Sequence, residues 1–245
     1  MKKLIVAFLM AIAPVLGLAS GGAHLDDANI DLSDQASLQR GAKYFVNYCL
    51  SCHSAKYQRY NRMAKDLGLT DEEVKDNLMF TTDKIGDTMS IAMDPVAAAD
   101  WFGTTPPDLS VIARARGVDW LYTYLRSFYL DDSRPFGVNN VVFPDVGMPH
   151  VLWELQGAQK AVYKTEKDSA GNDHDVFDHF EQVTPGSLSP EEYDIMSRDM
   201  TAFLAYIGEP IQMERQRMGK WVLLFIVVFF VLAYLLKKEY WKDVH

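Results

Sequence analysis

The sequence predicts a mainly α-helical domain with long loops, held to a membrane by a single C-terminal helix. Apolar residues recur at helical spacing in several capped segments, no segment alternates long enough for a real sheet, and Trp221 to Leu236 carries no charge at all. The 245 residues suffice for one compact domain of ordinary size plus appendages. Apolar side chains make up 49% and charged ones 23%, which excludes a disordered tail or a fibre. With 24 basic against 33 acidic side chains the net charge is −9, the wrong sign for a nucleic-acid binder. The cysteines are Cys49 and Cys52 alone, which excludes a multi-disulfide framework and a four-cysteine zinc site.

Residues 1–23 read as a secretory signal. Lys2-Lys3 is the positive start, Leu4 to Leu18 the apolar run, and Gly17 to Ala23 the small-residue stretch, with cleavage after Ala19 or Ala23. An uncleaved anchor is the alternative, but the run falls short of the ~20 residues a span needs. Ser33-Asp34 can cap a first helix that carries Leu38, Ala42, Phe45 and Cys49 along one face. Asp119 to Tyr129 reads as a middle helix rich in aromatics. Around it lie loops, Thr104 to Asp108 with Pro106-Pro107, and Pro135 to Pro149 with Gly137, Asn139-Asn140, Pro144 and Gly147. The polar stretch from Lys164 to Ser187 reads as a surface excursion. A second strong helix follows: Ser189 is its N-cap, Pro190 sits at N1 and Glu192 completes a capping box. Tyr193, Met196, Met200, Phe203 and Ile207 form its apolar stripe, and Pro210 ends it.

The anchor is expected over 215–238, with a tail at 239–245. Met218 to Leu236 is 19 residues, or about 28 Å of helix. Lys220 can snorkel at one border, while Lys237, Lys238, Tyr240 and Trp241 mark the other. Arg215, Arg217 and Lys220 balance Lys237, Lys238 and Lys242, so basic residues alone do not orient the span. The signal does: it exports the chain until the C-terminal span stops transfer, which places 24–214 outside the cytoplasmic membrane. Eight of the basic and two of the acidic side chains lie outside 24–214, which leaves that part at −15. Such a charge attracts cationic partners, and it also serves plain solubility.

Residues 49–53 read Cys-Leu-Ser-Cys-His. On a helical turn, positions i, i+3 and i+4 share one face. Two thiols there can add across the vinyl groups of a haem, and the imidazole one turn on can serve as proximal ligand; C-x-x-C-H is the attachment signature of c-type haem. A thioredoxin-like dithiol would sit beside a βαβ pattern, and none is apparent. A zinc site would need a second ligand pair, and a disulfide would close an unusually tight loop. The sixth ligand is less local. Met148, in Gly147-Met148-Pro149, stands outside any helical pattern; Met89, Met93 and His150 compete with it. Arg114 or Arg116 could pair with a haem propionate or simply lie on the surface.

The chain resembles the cytochrome c1 family, the haem subunit of the proteobacterial cytochrome bc1 complex. The resemblance rests on a series of motifs in family order: Tyr48 to Ser54, Trp101 to Ser110, Ala113 to Gly117, Asp119 to Tyr122, Val138 to Pro144, Gly147 to Pro149, and the C-terminal anchor. It implies a cytochrome c-like domain with one covalently attached haem c. Cys49 and Cys52 would be the thioether anchors, and His53 and Met148 the axial ligands of the iron. Pro106 and Pro107 would pack against the haem, and Arg116 would bind a propionate. The acidic segment Asp71 to Asp76 falls where the family docks soluble cytochrome c. The implied partners are a cytochrome b and a Rieske iron–sulfur protein in a dimeric complex of the inner membrane. The chain itself would relay electrons from the Rieske protein to the soluble cytochrome c, with its haem domain on the periplasmic side. Some relatives carry a cysteine pair around Lys164 to Thr184; this chain has none. The competing readings are an anchored monohaem cytochrome feeding a terminal oxidase, an anchored thiol–disulfide oxidoreductase and a non-enzymatic haem sensor with an open or weakly held sixth site.

Overall fold

Ser37 donates its backbone N–H to the Asp34 carboxylate at 3.1 Å, and this cap starts the first helix. The computed structural model describes residues 24–167 and 171–242. The signal expected at 1–23 lies outside the described residues, as do 243–245 of the expected tail. The helices are α1 (Gln35–Tyr44), α2 (Tyr60–Leu67), α3 (Asp71–Leu78), α4 (Pro95–Phe102), α5 (Ile112–Arg116), α6 (Val118–Arg126), α7 (Trp153–Gln156), α8 (Pro190–Gly208) and α9 (Gln212–Tyr240). Between them lie the strands β1 (Ala55–Arg59), β2 (Thr88–Met89), β3 (Phe128–Leu130), β4 (Val138–Asn140), β5 (Gly157–Lys167) and β6 (Asp173–Pro185). They pair antiparallel as β1–β2, β3–β4 and β5–β6.

The core forms where the two apolar stripes read from the sequence meet. Leu38, Ala42, Phe45 and Cys49 are buried, and so are Tyr193, Met196, Met200, Phe203 and Ile207 of α8. The rings of Phe45 and Phe203 stand 5.4 Å apart. Gly41 makes the helix crossing close, because a Cβ there would lie 2.1 Å from the Asp199 carbonyl oxygen. Asp199 is buried in the same seam, and its carboxylate accepts from Ser37 Oγ and Arg40 Nε, each at 2.6 Å. A buried carboxylate is tolerated only with such partners. The capping box of α8 forms as expected: Ser189 N–H reaches Glu192 Oε2 at 2.8 Å, and Glu192 N–H reaches Ser189 Oγ at 3.3 Å. The segment after His24 straps α6 and α8 together. Asp26 N–H donates to Thr123 Oγ1 and Ala28 N–H to Asp119 Oδ1, both at 2.8 Å, while Arg126 joins Asp26 and Asp194 at 2.6 Å.

Two sequence expectations need correction. The middle helix stops at Arg126, and Phe128 and Tyr129 belong to β3, paired with Asn140 and Asn139. A pairing across a loop overrides local helical spacing there. The larger correction concerns the expected absence of long strands: the stretch from Lys164 to Ser187 is a surface excursion as expected, but not an irregular one. It lies largely in a two-stranded ribbon, with β5 of 11 residues and β6 of 13 running antiparallel from Gly157↔Pro185 to Lys167↔Asp173. Most of it is exposed on both faces, so it never needed the polar–apolar alternation that a half-buried strand requires. Bulges between Ala158 and Gln159 and between Val162 and Tyr163 blur the period further.

After a break at Glu209 to Ile211, the chain enters α9. This helix has 29 residues, about 43 Å, and the mean hydropathy of its most apolar stretch is 2.4. Among the described residues nothing buries any part of it, and its range includes 215–238.

Candidate functional site

The C-x-x-C-H motif sits where α1 ends. A π turn over Phe45–Cys49, closed by Leu50 N–H on the Phe45 carbonyl at 2.9 Å, leads into it. Cys52 and His53 both donate their N–H to the Cys49 carbonyl, at 3.1 and 2.9 Å, which winds the pentapeptide into one turn. Cys49 points into the core, with Sγ 3.7 Å from Met200 Sδ, while Cys52 is half-buried. Burial pushes the Cys49 thiol up to about 12. A redox-active cysteine needs the opposite shift, so this environment disfavours a dithiol oxidoreductase.

His53 is buried, and its Nδ1 lies 2.7 Å from the Pro107 carbonyl oxygen. A carbonyl can only accept, so Nδ1 carries the proton and Nε2 keeps a free lone pair. Burial holds the His53 pKa below its ordinary value, more strongly than the Pro107 bond raises it, so the neutral, ligating form is favoured. Pro107 is fixed because its neighbours bond to the chain after the motif. Leu109 N–H reaches the Ser54 carbonyl at 2.8 Å, Lys56 N–H reaches Asp108 Oδ2 at 3.1 Å, and Tyr57 N–H reaches Ser110 Oγ at 3.1 Å.

Opposite this wall runs Gly147-Met148-Pro149. The two segments line one cleft, formed by Cys52, His53, Pro106, Pro107 and Met148, together with Tyr48, Phe102 and Val151. Gly147 closes against the end of α4, where a Cβ would meet the Phe102 carbonyl and Thr104 Cγ2 at 3.2 Å. An imidazole with its far nitrogen already satisfied, a thioether sulfur and a half-buried thiol thus share one largely apolar space. These residues fit a haem held covalently through Cys52; Cys49, whose Sγ points into the core beside Met200, does not line the cleft. A larger, open hollow beside the ribbon base is lined by Arg126, Gln159, His179 and Tyr193 among others, and by no cysteine or methionine.

The competing ligands lie elsewhere. Met89 is fully buried in β2 opposite Ala55. Met93 lines a separate hollow beside Cys52. His150 stacks on Phe128, centroids 4.8 Å apart and planes at 6°, and does not line the cleft. Arg116 does not line it either: it is exposed, with its guanidinium carbon 5.1 Å from the Trp120 ring centre and 5.5 Å from that of Phe143. In α3, Glu73 serves the helix cap, bonding Thr70 N–H at 2.8 Å, while Asp71, Glu72 and Asp76 face solvent.

The sequence reading missed Tyr124. Its hydroxyl donates to Met148 Sδ at 3.3 Å, and its ring stacks on Trp120 at 4.9 Å. Burial raises the phenol pKa, which keeps the donor protonated. No local pattern points to it, because 24 residues separate the partners.

Comparison with known proteins agrees with this geometry. The model of the cytochrome C1 family matches residues 27–244. A curated cytochrome c1 of Allochromatium vinosum is 58% identical, covering 100% of both chains. A Nitrosomonas europaea protein named ammonia monooxygenase gamma subunit is 46% identical over 100% of this chain and 98% of its own. The cytochrome c1 of Rhodospirillum rubrum is 27% identical over 86% of this chain and 83% of its own. Matched by the family model over nearly its whole length, and by relatives that align end to end, the chain belongs to the cytochrome c1 family.

Proposed function

We propose that Cys49 and Cys52 hold the haem by thioether bonds, with His53 and Met148 as its axial ligands. Pro106 and Pro107 pack against it in this reading, and Arg116 swings from its aromatic seat to a propionate. The chain is the membrane-anchored, electron-transfer haem subunit of a cytochrome bc1 complex, with one haem c and with cytochrome b and Rieske subunits beside it. The observation that supports the site assignment is that His53 and Met148 line one cleft with Cys52, Pro106 and Pro107. When bound, the haem supplies a one-electron couple. The chain's own residues do the rest: Pro107 orients His53, Tyr124 donates to the Met148 sulfur, and the apolar walls keep water from the cleft.

The finer reading places 24–214 in the periplasm, 215–238 across the inner membrane and 239–245 inside, in a dimeric complex. Electrons pass from the Rieske protein to a soluble cytochrome c. Exposed acids such as Asp71, Glu72 and Asp76, on a domain of net charge −15, support docking of a basic carrier. Turnover with such a carrier is expected to fall as salt rises, because screening shortens to about 3 Å at 1 M; a flat salt profile counts against electrostatic docking. The name of the Nitrosomonas relative raises a second reading, a subunit of an ammonia-oxidising assembly. Purification through this chain separates the two by partner. Recovery of a cytochrome b and an iron–sulfur protein with quinol-dependent haem reduction supports the first, and their absence sinks it.

Tyr124→Phe removes the hydrogen bond to sulfur and keeps the ring. The sulfur then donates more fully to ferric iron, so the midpoint potential is expected to fall, by less than on loss of Met148 itself. Potentiometric titration checks this.

A further inference from the structure

Tyr124 is gripped at two points. Its hydroxyl meets Met148 Sδ at 3.3 Å, and its carbonyl accepts from Asn140 Nδ2 at 2.9 Å. Asn140 is fully buried at 0% exposure. Its Oδ1 accepts from Val142 N–H at 2.9 Å and Phe143 N–H at 3.1 Å. Its own N–H donates to Asn139 Oδ1 at 2.9 Å, and that oxygen also takes the Asp145 N–H at 2.9 Å. Asn139 is tied in turn to Asp131 Oδ2 at 2.9 Å. The run from Val141 to Pro149 has no helix or strand of its own. Two side-chain oxygens therefore organise the backbone that delivers Met148, and one side-chain amide ties that backbone to the last turn of α6. Asn140 does not line the cleft.

We infer that Asn140 is a positioning residue for the Met148 sulfur: it locks the loop to the Tyr124 carbonyl and so sets where the thioether stands relative to the Tyr124 hydroxyl and the cleft. This rests on the assignment of Met148 as axial ligand. Both lone pairs of Asn140 Oδ1 are engaged, and Nδ2 supplies the cross-link, so neither Asp nor Ala reproduces the set. Serine reproduces the acceptor for the following amides, as in an ST turn, but does not reach Tyr124.

The test uses the haem-loaded full chain in its membrane complex, with carbon monoxide as the probe of an open sixth position. Asn140→Ala is expected to weaken the sulfur-to-ferric-iron charge-transfer absorption and to raise carbon monoxide affinity of the reduced haem at least tenfold. Asn140→Ser is expected to fall between it and the parent, and it decides alone should Asn140→Ala not accumulate. In a Tyr124→Phe background the Asn140 substitutions should add less, since both act on one contact. Parent-like absorption and carbon monoxide affinity in the Asn140 variants, beside loss of the absorption in Met148→Leu, overturn this inference and leave the ligand assignment standing. Persistence of the absorption in Met148→Leu overturns the ligand assignment and this inference with it.

Discussion

Met148→Leu is expected to cost the haem its sulfur ligand and to lower its midpoint potential steeply. Axial ligands set haem potentials over a range of about 0.8 V, and thioether ligation lies toward the high end. Leucine conserves volume, so repacking should cost less than about 1.5 kcal/mol and the domain should stay folded. The partly buried Tyr124 hydroxyl, which donates to that sulfur, loses its acceptor, and this adds about 1 kcal/mol. The change in potential therefore reports ligation rather than unfolding. A redox titration beside a reduced-minus-oxidised spectrum checks it. An unchanged potential transfers the ligand role to another group, and the geometry makes that transfer demanding, since Met89 is in the core and His150 stacks on Phe128 outside the cleft lining.

Joint replacement Cys49→Ala and Cys52→Ala is expected to abolish covalent haem altogether. The pentapeptide turn that holds both sulfurs is built from backbone bonds to the Cys49 carbonyl, and these survive the substitution. The fold around α1 and α8 should thus persist while the attachment chemistry disappears. A denaturing gel stained for haem peroxidase activity reads the outcome directly, with the unsubstituted chain positive and the double variant blank. The same purified parent chain, unfolded and treated with an alkylating reagent, should label at neither cysteine. Labelling at both would mean that the thiols are free and would return the dithiol reading to consideration, against the burial that holds Cys49 protonated.

The two helices that build the core were legible because each advertises itself locally. The α8 capping box, Pro190 and the stripe from Tyr193 to Ile207 are contiguous, and the stripe through Phe45 leads straight into the haem motif. The apolar anchor was legible for the same reason. The ribbon was not, because strands with both faces in water leave no alternation to read. Met148 could be singled out among 11 methionines by its loop and by resemblance, but the residues that support it could not. Pro107 reaches His53 across 54 residues, Tyr124 reaches Met148 across 24, and Asn140 reaches the Tyr124 carbonyl across 16.

By itself the sequence determined the capped helices, the length and apolarity of the C-terminal helix and the C-x-x-C-H turn, since each depends on spacing within a turn or two. Only the tertiary structure decided which segments line one cleft, which nitrogen of His53 is free and which hydroxyl meets the Met148 sulfur. Those facts depend on side chains meeting backbone atoms far away along the chain, and hydrophobic or charge periodicity carries no information about such meetings.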